Sequence, residues 1–156
     1  VVFFIGNNYE HKGLDLVMDA IKEVLKQKEL YLWVGGCGNI PKYEVKAKKI
    51  GIGNFVRFTG MIKENLPHLY RSANLFVLPS KFDTFGIVVS EALSLGLPVV
   101  ISKNTGISYL INDFASVRVL EKQDCQKIVK AINALLKIKR NIILLSNKVE
   151  ICKFYE

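Results

Sequence analysis

The chain has 156 residues, half of them hydrophobic, and a net charge of +8 from 22 Lys and Arg against 14 Asp and Glu. This length and composition predict one ordered globular domain with a sizeable core and exclude a disordered or low-complexity chain. The positive charge suits nucleotide phosphates or an anionic membrane, or it only keeps a Lys-rich surface soluble. No motif for reading nucleic acid is present, and no apolar run nears the roughly 20 residues that span a bilayer.

Short apolar, β-branched runs alternate with helical patterns along the chain. The runs predicted as strands cover 1–5, 30–34, 55–60, 73–78, 99–102 and 117–120. The segments predicted as helices are one from residue 14 onward, then 43–50, 66–71, 87–95, 107–111, one that Asp124 caps, and 142–155. Because strands and helices alternate with short connections, the sequence predicts an α/β fold with a Rossmann-like doubly wound parallel sheet.

The turn after the first strand contains Gly6 and ends at Lys12 and Gly13, directly before the first helix. In an open parallel sheet, ligands bind at the carboxyl ends of the strands. Free N–H groups at a helix start favour an anion there. Lys12 is therefore a candidate for binding a pyrophosphate, and a solvated lysine is the plainer alternative.

A second strand-to-helix turn lies in residues 79–98, PSKFDTFGIVVSEALSLGLP, where Asp83 and Glu91 stand eight positions apart. At about 100° per residue, Ser90, Glu91 and Ser94 share one narrow arc of an otherwise apolar helix. This polar stripe either meets water or places the Glu91 carboxylate in a cleft, where it can accept hydrogen bonds from sugar hydroxyls.

This second turn resembles the Glu-x7-Glu signature of the retaining glycosyltransferases of group 1, which have the GT-B fold. Their pattern, P-S-x-x-E-x-F-G-x-x-x-x-E-A-x-x-x-G-x-P-V, is matched by Pro79, Ser80, Asp83, Phe85, Gly86, Glu91, Ala92, Gly96, Pro98 and Val99. Two positions differ from the family: Asp83 stands where Glu is usual, and Asn7 stands where Arg is frequent. The resemblance runs from Gly6 through the last predicted helix.

The resemblance implies that residues 1–156 form a single donor-binding domain, the C-terminal half of a GT-B fold. Since the chain begins at Val1 rather than Met, we expect it to be a piece of a longer protein that also has an N-terminal acceptor-binding domain. The implied reaction is the retaining transfer of a hexose from UDP-glucose or a related nucleotide sugar to a polysaccharide or lipopolysaccharide-type acceptor. No cofactor and no metal is implied, and we expect the chain alone to bind nucleotide weakly and to be inactive.

The resemblance also implies roles for individual residues. Lys12 and Asp83 are the expected catalytic residues, Lys12 on the diphosphate and Asp83 on the donor-sugar hydroxyls. Glu91 is expected to bind the ribose hydroxyls. The full set of expected substrate-binding residues is Gly6, Asn7, Lys12, Gly60, Met61, Asp83, Thr84, Phe85, Gly86 and Glu91.

Three alternatives remain open at this point: a nucleotide-sugar epimerase of the same fold, a non-catalytic nucleotide-sugar-binding scaffold, and a flavodoxin-like binding domain. The three cysteines, Cys37, Cys125 and Cys152, are far apart and lack metal spacing, which indicates free thiols in a reducing compartment. The expected location is therefore the cytoplasm. A peripheral contact to the inner face of the membrane is an alternative that stays open. The expected partners are the nucleotide sugar and the acceptor-binding domain, and nucleic acid is not expected.

Overall fold

A computed structural model describes residues 1–62 and 64–138. Its strands are β1 (Val2–Ile5), β2 (Leu32–Gly35), β3 (Val56–Gly60), β4 (Leu75–Leu78), β5 (Val99–Ser102) and β6 (Val117–Leu120). They form one sheet in the order β3-β2-β1-β4-β5-β6, and every neighbouring pair is parallel. This order confirms the predicted Rossmann-like doubly wound sheet.

The described residues also form helices between and after the strands. These are α1 (Leu14–Leu25), α2 (Ile40–Lys49), α3 (Leu66–Ser72), α4 (Ile87–Ser94), α5 (Ser108–Ile111) and α6 (Cys125–Leu135), with a 3₁₀ turn at Gly53–Phe55. The predicted cap of α6 is confirmed, because the Asp124 carboxylate accepts a hydrogen bond from the Lys127 N–H at 2.9 Å. The terminal helix predicted over 142–155 lies outside the described residues.

Helix α2 begins three residues before its predicted start. The side chain of Asn39 accepts a hydrogen bond from the Lys42 N–H at 3.2 Å, and Pro41 lies in the first turn. An asparagine cap followed by proline favours a helix start at this point. The prediction placed the start at Tyr43 because it did not take these capping signals into account.

The core lies on both faces of the central strands. All four residues of β4 and all four of β5 are buried, which requires cover above and below the sheet. Helix α1 packs against α6, and α4 contacts both β4 and β5. Tyr70 of α3 makes edge contacts with Phe3 and Phe76, which are neighbours in the register of β1 and β4.

The strand order creates a crevice between β1 and β4. The chain leaves β1 through α1 toward β2 on one side, and it leaves β4 through α4 toward β5 on the other side. Connections that diverge in this way leave the carboxyl ends of the two strands uncovered. Among the described helices, none combines the length and apolar character needed to cross a membrane.

Candidate functional site

A cavity of about 810 Å³ opens at this crevice, lined by residues that follow the carboxyl ends of β1, β2, β3 and β4. Its lining consists of Ile5, Gly6, Asn7, Asn8, Lys12, Gly36, Met61, Ile62, Asp83, Thr84, Phe85, Gly86, Ile87 and Val88. The structure thus brings together most of the residues expected to bind substrate. Two of them, Gly60 and Glu91, lie outside this lining.

One wall of the cavity is built by the turn from β1 to α1 and by the end of β2. Gly36 has a φ of 102°, and a Cβ there would lie 2.0 Å from the carbonyl oxygen of Gly6. Only glycine fits at such a close approach of two backbones. The side chain of Asn7 accepts hydrogen bonds from the N–H and the thiol of Cys37, at 3.3 and 3.2 Å, so this wall is tied to the turn after β2.

The opposite wall is the loop from β4 to α4. The N–H of Asp83 donates to the Asn104 carbonyl, and the N–H of Gly106 donates to the Asp83 carbonyl, each at 3.0 Å. A Cβ on Gly106 would lie 2.1 Å from the Thr84 carbonyl oxygen. The turn after β5 therefore supports the loop through its backbone.

An ion pair joins the two walls. The Lys12 ammonium group donates to the Asp83 carboxylate, and only 23% and 14% of the two side chains are exposed. The two residues lie 71 positions apart in sequence, and both line the cavity. Each therefore keeps the other in place in the absence of a ligand, and a bound anion can compete with Asp83 for the lysine.

The start of α4 presents unused hydrogen-bond donors to the cavity. Gly86 precedes the helix, and no side chain caps it. Within the described part of the chain, the N–H groups of Phe85 and Gly86 donate no hydrogen bond. Free N–H groups at a helix start, close to the Lys12 cation, form a favourable environment for a phosphate or another anion.

Glu91 lies one helical turn beyond Val88, beside a second pocket of about 410 Å³ formed with α3. Its Oε2 accepts a hydrogen bond from the Tyr70 hydroxyl at 2.9 Å. The Tyr70 ring is buried, and its hydroxyl has this polar role, which sequence reasoning missed. The available signal was that a buried tyrosine hydroxyl needs a partner.

Met61 is 60% exposed and lines the cavity beside Ile62. Gly60 precedes them, and its carbonyl accepts a hydrogen bond from the Gly36 N–H at 2.8 Å. Gly60 therefore holds the ends of β2 and β3 together. Of these three, the structure places only Met61 and Ile62 at the cavity itself.

Comparison with known proteins identifies a family for most of the chain. The family description "Glycosyl transferases group 1" matches residues 1–137. An uncharacterized glycosyltransferase of Methanocaldococcus jannaschii is 32% identical over 113 residues, which cover 71% of this chain and 29% of that protein. Mannosylfructose-phosphate synthase of Agrobacterium fabrum is 35% identical over 120 residues, which cover 69% of this chain and 26% of that protein. The chain thus spans less than a third of the length of these relatives.

Solved structures show the same fold. HepE of Anabaena in complex with UDP-glucose has a TM-score of 0.83 at 19% identity, covering 96% of this chain and 43% of that one. WaaG, a glycosyltransferase involved in lipopolysaccharide biosynthesis, has a TM-score of 0.80 at 24% identity, covering 96% and 41%. The C-terminal domain of a group 1 family protein from Francisella tularensis has a TM-score of 0.82 at 21% identity, covering 99% and 86%. The fold is that of GT-B glycosyltransferases, and the chain belongs to the glycosyl transferases of group 1.

Proposed function

We propose that this chain is the donor-binding domain of a retaining glycosyltransferase that transfers a hexose from a nucleotide diphosphate sugar. One observation carries the proposal: Lys12, Asp83 and the unused N–H groups of Phe85 and Gly86 share one cavity at the carboxyl edge of the sheet. A cation and free N–H groups suit a diphosphate. A carboxylate next to them suits the hydroxyl groups of a sugar.

The diphosphate is proposed to lie between Lys12 and the start of α4. Cleavage of the bond from sugar to phosphate develops negative charge on the departing diphosphate. Preorganised donors that match this charge lower the barrier, because they need no rearrangement when the charge develops. In this arrangement Lys12 exchanges its ion pair with Asp83 for a contact with phosphate oxygens.

Asp83 is proposed to bind the donor sugar, because this exchange releases its carboxylate from Lys12. Once Lys12 contacts the phosphate, the Asp83 carboxylate is free to accept hydrogen bonds from sugar hydroxyls. Backbone hydrogen bonds from the turn after β5 hold Asp83 in position. Aspartate is one methylene shorter than the family's usual glutamate, and we propose that this anchoring keeps it within reach of the sugar.

The nucleoside is proposed to extend from the diphosphate toward the residues that follow β3 and toward Glu91 on α4. Met61 and Ile62 offer an apolar surface for the base, with the Gly60 backbone behind them. Glu91, on the helix that begins at the cavity, is proposed to bind the ribose hydroxyls. The reaction requires no resident metal in this scheme, since Lys12 and the N–H groups provide the electrostatic stabilisation.

We propose UDP-glucose or a related UDP-hexose as the donor and a polysaccharide or lipopolysaccharide-type acceptor. HepE of Anabaena was crystallised with UDP-glucose, and WaaG is involved in lipopolysaccharide biosynthesis. The acceptor is proposed to bind a separate N-terminal domain, in line with the small share of its relatives that this chain covers. The proposed location is the cytoplasm, with peripheral contact to the membrane.

Calorimetric titration of the chain with UDP, GDP and ADP, beside a Glu91→Ala variant, tests the proposal. We expect one nucleotide to bind the wild type and to bind the variant at least about tenfold more weakly, because the variant lacks the ribose contacts. Binding of none of the three contradicts the donor-domain assignment. Equal binding by the variant favours a non-catalytic scaffold over the enzyme.

A further inference from the structure

The position of the Glu91 carboxylate depends on a residue outside the cavity. The Tyr70 hydroxyl donates to Glu91 Oε2 at 2.9 Å, and the same hydroxyl lies 3.3 Å from the carbonyl oxygen of Val88, which lines the cavity. Since a hydroxyl donates a single hydrogen, the nearer and charged carboxylate is its main acceptor. Tyr70 thus connects α3 to α4 at Val88, which lines the cavity, and at Glu91, one turn further along the helix.

Tyr70 itself has little freedom to move. The residue is only 1% exposed, and its ring makes edge contacts with Phe3 at 5.3 Å and with Phe76 at 5.9 Å between ring centroids. Burial, followed by the negative charge of Glu91, raises the pKa of Tyr70, so the hydroxyl stays protonated and can only offer its hydrogen to the carboxylate. The donor is therefore fixed in place before any ligand arrives.

The second carboxylate oxygen remains available. Oε1 of Glu91 makes no hydrogen bond or ion pair within the described residues, and the Glu91 side chain is partly exposed beside the 410 Å³ pocket. A carboxylate held through one oxygen presents the other in a defined direction. Preorganised acceptors of this kind bind better because less side-chain entropy is lost when the ligand arrives.

We propose that Tyr70 is a positioning residue, which holds Glu91 through Oε2 so that Oε1 accepts a hydrogen bond from the ribose 2′-hydroxyl of the donor nucleotide. The inference rests on the proposed function, because it requires that a ribonucleotide binds at this site. It extends that function by assigning part of the preference for ribose over deoxyribose to a buried tyrosine that does not touch the ligand.

The test compares ribonucleotides with their 2′-deoxy forms in a Tyr70→Phe variant. Phenylalanine keeps the ring packing and removes only the hydroxyl. The pairs UDP and 2′-deoxy-UDP, GDP and 2′-deoxy-GDP, and ADP and 2′-deoxy-ADP are titrated against the wild type and the variant. We expect the ratio of the two dissociation constants, deoxy over ribo, to fall by about threefold to tenfold in the variant, because a Glu91 side chain without its Tyr70 partner loses part of one charge-assisted hydrogen bond to the 2′-hydroxyl. The deoxynucleotide itself should bind the variant as it binds the wild type.

Tyr43→Phe is the matched control. Tyr43 is also buried, and its hydroxyl also donates to a carboxylate, that of Asp15 at 2.7 Å, away from the cavity lining. A merely structural role for Tyr70 predicts that both variants lower the melting temperature and that neither changes the ratio. The positioning role predicts a changed ratio in Tyr70→Phe alone.

The outcomes separate the inference from the proposed function. An unchanged ratio in Tyr70→Phe, together with a reduced ratio in Glu91→Gln, overturns the inference and leaves the donor site in place. If the ratio of dissociation constants is unchanged in both Tyr70→Phe and Glu91→Gln, Glu91 does not bind the ribose, and the inference is overturned as well. Binding of none of the nucleotides to the wild type overturns both.

Discussion

Two clusters of similar chemistry lie in different parts of this fold. In the α1–α2 cluster (Asp15, Tyr43 and Lys46), the Asp15 carboxylate accepts from Tyr43 through one oxygen and from Lys46 through the other, each at 2.7 Å. In the α3–α4 pair (Tyr70 and Glu91), the tyrosine hydroxyl donates a hydrogen bond to only one of the two carboxylate oxygens. A carboxylate whose two oxygens are both occupied by protein groups serves stability. One that keeps an oxygen free beside a pocket can bind a ligand.

Lys46 and Lys12, each paired with a carboxylate, differ in the same way. Lys46 pairs with Asp15 and lies 3.6 Å from Asp19, so its charge is shared between two carboxylates of α1. Lys12 pairs with Asp83 alone among the described residues, and that pair lines the cavity. An anion that enters the cavity can replace the partner of Lys12, whereas Lys46 is not among the residues that line the cavity.

Variants of Lys12 and Lys46 give the largest expected difference in nucleotide affinity between the cavity and the α1–α2 cluster. Lys12→Met should weaken nucleotide binding by about 100-fold, because it removes the proposed phosphate contact and leaves the Asp83 charge facing the diphosphate. Lys46→Met should leave the affinity unchanged and lower the melting temperature. Calorimetric titration with the nucleotide that the wild type binds, together with thermal unfolding, measures both. Equal affinities of Lys12→Met and wild type would remove Lys12 from the site.

Asp83→Asn should change the binding affinity less than Lys12→Met does, and the change should depend on the ligand. It frees the Lys12 cation from its partner, so the nucleoside diphosphate should bind about threefold to tenfold more tightly. The nucleotide sugar should gain less, since the variant also loses the charged acceptor proposed for the sugar hydroxyls. Titration of Asp83→Asn with UDP and UDP-glucose yields the two affinities, and Asp15→Asn is the control. Equal gains for both ligands would show that Asp83 does not contact the sugar.

The smallest expected effect is a pH dependence of stability from the α1–α2 cluster. Burial alone would raise the pKa of Asp15, but hydrogen bonds from Lys46 and Tyr43 outweigh it and lower that pKa below its usual value. A carboxyl group whose pKa is lower in the folded state stabilises the fold above its unfolded pKa, about 3.9, and this contribution is lost as the pH falls through the folded pKa.

Asp15→Asn should therefore lower the free energy of unfolding at pH 7 by less than about 1 kcal/mol, since the ion pair is partly exposed. The difference from the wild type should shrink below about pH 4. Urea unfolding of both proteins at pH 7 and pH 3 measures it. A difference that stays constant over this range would assign the loss to packing rather than to the charge of Asp15.

The elements of this fold could be predicted where their signals are local. Strands β5 and β6 have the predicted bounds, because each is a short valine-rich run with a proline or polar residues at its ends. The start of α4 was also predicted, since Gly86 and the apolar positions after it are local features. Helix α2 was predicted too short because its cap, Asn39, lies four residues before the predicted start at Tyr43.

The candidate site was predicted from the sequence as a set of positions, mainly through the family pattern. Which of these positions share one cavity could not be read from it. Gly36 is not among the predicted positions, although the close approach of the Gly6 carbonyl requires glycine there. Glu91 belongs to the pattern, but its partner Tyr70 lies 21 residues before it on another helix.

The sequence by itself determined the alternation of strands and helices, the polar stripe of α4 and membership of the family. These properties depend on periodicity, capping and motif spacing, which act over a few neighbouring residues. Only the tertiary structure decided that Lys12 pairs with Asp83, that β1 lies beside β4, and that Tyr70 holds Glu91. These contacts join residues far apart in the chain, and they follow from the strand order, which places the turns after β1 and β4 at one edge of the sheet.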